Sequence, residues 1–250
     1  MAAARALSGL GDDHAGLVTG CRQMVDRHPA IGTLWWLCAR LLTAEDPSRE
    51  AWSVTEAIED DPTPAILASE LPDEITVVVL GWPELIAPAL HRRADLHVLA
   101  VDSFGEGVAL VDSLAGSEVD ANDVTAAGLG AAVANAGLVI LEALALGPDG
   151  LVATSGSRAA AAVARHAGIP VWCVAGEGRT LPGPMWDALC RRLEQSGDPW
   201  DSDEELVPVD LVDTFAGPWG VGPLANAFAH SDCPVVPELF KGVFAPGTQR

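Results

Sequence analysis

From residue 14 to about residue 60, apolar side chains return at the spacing of amphipathic helices: Leu17, Val18, Cys21, Met24 and Val25, then Ile31, Leu34, Trp35, Cys38, Leu41 and Leu42. Two or three packed helices are predicted. His28-Pro29 separates the first two, and Asp46-Pro47-Ser48 opens a third through Trp52, Val54 and Ile58, with Ser48 as its candidate cap. Acidic residues and prolines between Glu59 and Pro64 loosen the chain, and a short helix over 65–71 leads onward.

After Leu71-Pro72-Asp73 the period changes. A continuous β-branched run at 75–80 predicts a buried parallel strand, and the Pro-led piece at 83–92 predicts its crossover helix, shortened or bent at Pro88. The pattern then repeats: strand 96–101, helix 106–115, a short strand near Glu118 and Val119, helix 126–134, strand 138–141, helix 157–167, strand 171–175. Such alternation predicts an α/β fold, a Rossmann-like parallel sheet flanked by helices, preceded by a small all-helical domain. The expected division is 1–71 for the helical N-terminal domain and 72–250 for the α/β domain with a Pro-rich C-terminal tail. A helix over 185–193 is followed by an acidic, turn-rich stretch at 195–206 that reads as an exposed loop. The tail carries Val235, Val236, Leu239, Phe240 and Phe244, apolar residues that need a surface to cover, their own or a partner's.

Charge narrows the choice of partners. Among 250 residues, 35 Asp and Glu stand against 14 Lys and Arg, a formal charge of −21 that repels nucleic acid and anionic membranes. A local phosphate site built from amides and one Arg remains compatible with that field. The five cysteines are odd in number and lack Cys-x-x-Cys spacing, so a reducing cytoplasm and no structural metal are expected. The first residues hold no apolar run of signal length, and neither export nor a membrane span is read.

In a parallel sheet, ligands gather beyond the carboxyl ends of the strands. The residues there are Gly81-Trp82, Asp102 to Gly105, Glu142, and Gly176 to Arg179. Glu142 is a candidate proton-transfer or hydroxyl-binding group; its ordinary structural role would be to cap a turn or pair with an Arg. Ser155-Gly156-Ser157-Arg158 opens the Ala-rich helix, where free amides and the positive dipole end favour an anion and Arg158 adds donors. Simple helix capping by either serine is the competing reading. The snippets Gly105-Glu106-Gly107 and Gly176-Glu177-Gly178 lack a third spaced Gly, so no dinucleotide cofactor is expected. Trp35, Trp36, Trp82 and Trp172 read as core or subunit-interface residues, and the cysteines as small buried hydrophobes.

The order LVILEA, GPDG, ATSGS, AAAAVARHAG, IPVWCVA, and the later ELVPVDLVDTFAG, resembles the initiation factor 2B alpha/beta/delta family. That family also contains the methylthioribose-1-phosphate and ribose-1,5-bisphosphate isomerases. The resemblance covers about residues 75–219 and implies a NagB/RpiA/CoA-transferase-like sheet. Departures from the family pattern bear on catalysis. Leu80-Gly81-Trp82 stands where the isomerases carry a Thr-His-Cys-like motif, so the catalytic thiol is missing. The catalytic Asp falls on Ala143 in an ungapped alignment, or on Glu142 with one insertion. The Asn-Lys pair becomes Ala153-Thr154, and an Arg becomes Phe104.

The resemblance implies an initiation factor 2B-like protein of the cytoplasm, oligomeric and expected as a homodimer. It would be non-catalytic, binding a phosphorylated sugar or nucleotide through Gly81, Ser155, Gly156, Ser157 and Arg158, or serving as a regulatory assembly subunit. The alternative is an aldose–ketose isomerase of a sugar phosphate in which Glu142 and Asp102 carry the protons. Either way, the donors around Gly156 and the two strand-terminal acids are expected to converge on one pocket at the carboxyl rim of the sheet.

Overall fold

The structure, a computed structural model, describes residues 2–9 and 13–240. The chain opens with four helices, α1 (Ala2–Ser8), α2 (His14–Arg27), α3 (Gly32–Thr43) and α4 (Pro47–Glu59), followed by the short α5 (Thr63–Glu70). Asp13 caps α2 by accepting from the Gly16 amide, and Asp46 caps α4 by accepting from the Arg49 amide. The cap of α4 is therefore Asp46 and not Ser48, because Pro47 occupies the first helical position, where its missing N–H costs nothing.

Strands and helices then alternate: β1 (Thr76–Leu80), α6 (Ile86–Leu90), β2 (His97–Val101), α7 (Gly107–Ala115), β3 (Asp120–Val124), α8 (Leu129–Ala134), β4 (Leu138–Glu142), β5 (Ala145–Leu146), β6 (Gly150–Thr154), α9 (Ser157–Ala167), β7 (Val171–Val174), α10 (Gly183–Leu193), β8 (Glu204–Pro208), β9 (Thr214–Gly217), β10 (Gly220–Gly222) and α11 (Ala225–His230). The main sheet runs β10-β9-β7-β4-β1-β2-β3, parallel throughout except for β10 at one edge. The chain steps outward from β1 to β2 and β3, then returns to the other side of β1 for β4. That reversal opens a crevice between the carboxyl ends of β1 and β4.

Both faces of the central strands are buried, which explains their unbroken apolar runs. Val77, Val79, Leu138 and Ile140 pack against α5, α6 and α7, whereas Val78, Leu80, Val139 and Leu141 pack against α8 and α9. The two-residue period sends alternate side chains to opposite layers. The third strand lies at 120–124, later than the Glu118-Val119 position predicted, and its mostly exposed Asp120, Asn122 and Asp123 suit a polar sheet edge.

Three antiparallel strands, β5, β6 and β8, form a second, small sheet. Its β8 starts inside the acidic stretch read as a loop. The helices α1–α4 do not close on themselves; Leu17, Trp35, Cys38 and Leu41 share a core with Val152 of β6 and with Met185, Trp186 and Leu189 of α10. Val236 and Leu239 are buried in that same core, so the tail covers a surface of its own chain; Phe244 lies outside the described residues. No described helix is long and apolar enough to cross a membrane.

Candidate functional site

Strand β1 ends at Gly81, whose φ of +59° is in the left-handed region and favours glycine. A β-carbon there would also lie 2.9 Å from Oε2 of Glu106. The next amide, of Trp82, donates to that same oxygen at 3.1 Å, and the indole of Trp82 stays partly exposed at the crevice rim.

Strand β4 ends at Glu142. Its Oε2 accepts from the amides of Leu85 and Ile86 at 2.8 and 3.2 Å, and its Oε1 accepts from Nη1 of Arg179 at 2.8 Å. The same nitrogen donates to the carbonyl of Ala143, and Nη2 lies 3.5 Å from Oε2 of Glu84. Both members of the Glu142–Arg179 pair are nearly closed to solvent. Three donors on one carboxylate make it an anchor joining β4, the start of α6 and the loop after β7.

Strand β6 runs into Ser155-Gly156 and α9. Gly156 adopts φ 100°, and no side chain of its own caps the helix. The cap arrives from β8: Oε1 of Glu205 accepts from the amides of Gly156 and Arg158 at 2.7 and 2.9 Å. Ser155 is turned to structural use, its hydroxyl donating to the carbonyl of Ser202 at 2.6 Å. Ser157 is 2% exposed and its hydroxyl has no hydrogen-bond partner among the described residues.

Between these pieces, at the crevice between β1 and β4, lies a cavity of about 150 Å³. Its wall includes Trp82, Glu84, Glu142, Thr154 and Ser157. Of the residues singled out from sequence, Glu142 and Ser157 therefore share a wall; Gly81 and Gly156 sit in the backbone beside it. Asp102 does not line the cavity and instead accepts from the Gly107 amide at 2.9 Å, capping α7. Arg158 faces away, into a groove of about 600 Å³ that it shares with Glu194, Asp201, Glu204 and Glu205.

Sequence reasoning missed Arg179 and Glu205 as partners. Arg179 was within reach, since it belongs to a loop that follows a strand. Glu205 carried no such signal, because its strand pairs only with distant β6.

The thiols lie away from this wall. Burial pushes Cys173 up to about 12 against the opposing pull of Arg179, and burial likewise pushes Cys190 and Cys233 up to about 12. Those groups are poor nucleophiles at neutral pH. Among the described residues no cluster of three His, Cys, Asp or Glu side chains is arranged for a metal.

No family model and no curated protein matches the chain. Solved structures do. The translation initiation factor eIF-2B of Pyrococcus horikoshii OT3 superposes with a TM-score of 0.71 at 14% identity, over 90% of each chain. The eIF2B beta of Chaetomium thermophilum gives 0.69 at 18% identity, over 97% of this chain and 86% of that one. The tetrameric eIF2B-beta2-delta2 complex of C. thermophilum gives 0.71 at 18%, over 91% and 86%. The protein has the fold of these eIF2B subunits.

Proposed function

We propose that this chain is a divergent member of the initiation factor 2B alpha/beta/delta family. In this reading it binds a small phosphorylated sugar at the β1–β4 crevice and works in the cytoplasm as a non-catalytic subunit of an oligomer. The observation that carries the reading is the cavity itself, at the topological switch point, lined by both Glu142 and Ser157, whose unpartnered hydroxyl stands at the start of α9. The hydroxyl and the positive end of the helix suit a phosphate. Glu84 is positioned for sugar hydroxyls, and the Trp82 ring for the apolar face of a sugar.

Size separates the two ligand classes. At about 150 Å³ the cavity is smaller than the about 300 to 1,000 Å³ of ordinary ligand pockets, so the smaller of the two classes, a pentose phosphate, is the one proposed. Assembly is supported by the shared fold with the tetrameric beta2-delta2 complex, and a homodimer is the form proposed for this chain.

The isomerase alternative draws less support. The proton-carrying role given to Glu142 would require the carboxylate to leave Arg179 and two amides, and Asp102 is committed to α7. The test is thermal stability with ribose 5-phosphate, ribose and AMP. Ribose 5-phosphate should raise Tm by an amount set by its concentration over Kd, and Ser157→Ala should abolish the rise. No rise with any phosphorylated sugar defeats the binding reading; isomerisation of ribose 5-phosphate by the wild type defeats the non-catalytic one.

A further inference from the structure

We propose that the carboxylate of Glu205 is an internal rival of the ligand's anionic group, occupying the α9 amides that a phosphate in the cavity would otherwise engage. The inference rests on the reading above and adds to it what sets the affinity of the site.

The antiparallel ladder places this rival. Glu205 of β8 stands opposite Ala153 of β6, and β6 runs within a few residues into α9. The side chain reaches the first turn of the helix and accepts from Gly156 and Arg158 through a single oxygen, Oε1. Those two residues flank Ser157, a residue only 2% exposed that lines the cavity. An anion seated on Ser157 thus meets a carboxylate already on the same turn, drawn there by the same dipole.

The plug is built to come out. No Lys or Arg side chain forms an ion pair with Glu205 among the described residues. Glu205 also borders the groove of about 600 Å³, which has room for the side chain once it leaves the amides. Glu142 is its opposite, pinned by Arg179 and two amides at once. A phosphate that displaces Glu205 gains the Gly156 and Arg158 amides, and the carboxylate exchanges them for water.

Glu205→Gln tests this, because the amide oxygen can still cap α9 while the charge is gone. Calorimetric titration of the full chain with ribose 5-phosphate should show binding about tenfold tighter or more than in wild type, as expected for loss of a like charge on the same helix turn. Uncharged ribose should bind both proteins alike. If Glu205→Gln unfolds, Glu205→Ala in the same titration serves, with the same tightening expected. Unchanged or weaker ribose 5-phosphate binding in a folded variant, against measurable wild-type binding, overturns the rivalry and leaves the binding reading standing. Equal tightening toward ribose overturns it too, since the effect would then be general loosening. Absence of ribose 5-phosphate binding in wild type and variant alike overturns both.

Discussion

The carboxylate of Glu142 and the guanidinium of Arg179 meet at 2.8 Å with side chains only 8% and 9% exposed. A buried pair of this kind owes little to its mutual attraction alone, because both charges lost their hydration to make it. Its value is positional: through it the end of β4, the start of α6 and the loop after β7 are held together around the cavity.

Removing one partner should therefore hurt more than removing both. Arg179→Met leaves a buried carboxylate facing two amides, and a loss of about 3–5 kcal/mol in urea unfolding is expected. Adding Glu142→Gln to that variant should restore part of the loss. Equal stability of the single and double variants would contradict the pairing.

The C-terminal segment is fastened to the helical layer at several points. Nε1 of Trp36 donates to Oδ1 of Asp232 at 2.7 Å, Nε of Arg22 to the carbonyl of Glu238 at 2.7 Å, and Nη2 of Arg192 to that of Leu239 at 2.9 Å. Arg40 adds an ion pair to Asp232. Leu239 itself is fully buried, so Leu239→Ala should cost about 2–5 kcal/mol. That would appear as a lower denaturant midpoint; a midpoint within error of wild type would show that the segment does not dock.

Glu177 shapes the pH dependence. Its carboxyl is raised above the ordinary 4.5, chiefly by desolvation and then by Asp61 and Asp232, with Arg40 opposing. The folded protein then holds a proton that the unfolded chain releases, so this group's contribution is full below 4.5 and is lost as pH rises through the folded value. Glu177→Gln should flatten that part of a stability–pH curve recorded upward from pH 4. A curve unchanged by the substitution would refute the assignment.

Much of the fold was legible because its signals are local. Burial on two faces forces β-branched runs such as Val77-Val78-Val79, and helix boundaries follow from caps and prolines, so α9 at 157–167 falls where the Ala-rich pattern places it. The small sheet was not legible. Strand β5 is two residues long, and β8 carries Glu204-Glu205 in a run whose composition reads as loop; both become strands only through pairing with β6.

By itself, then, the sequence determined the alternation of strand and helix, the acidic field, and the residues that stand at strand ends, because these depend on neighbours along the chain. Only the tertiary structure decided which of those residues share a cavity, that Arg158 and Asp102 face elsewhere, that Arg179 holds Glu142, and that Glu205 caps α9 from 47 residues away from Arg158. A hydrogen-bonding group takes the partner that packing brings nearest, and that choice is written in the pairing of distant strands, where periodicity carries no information.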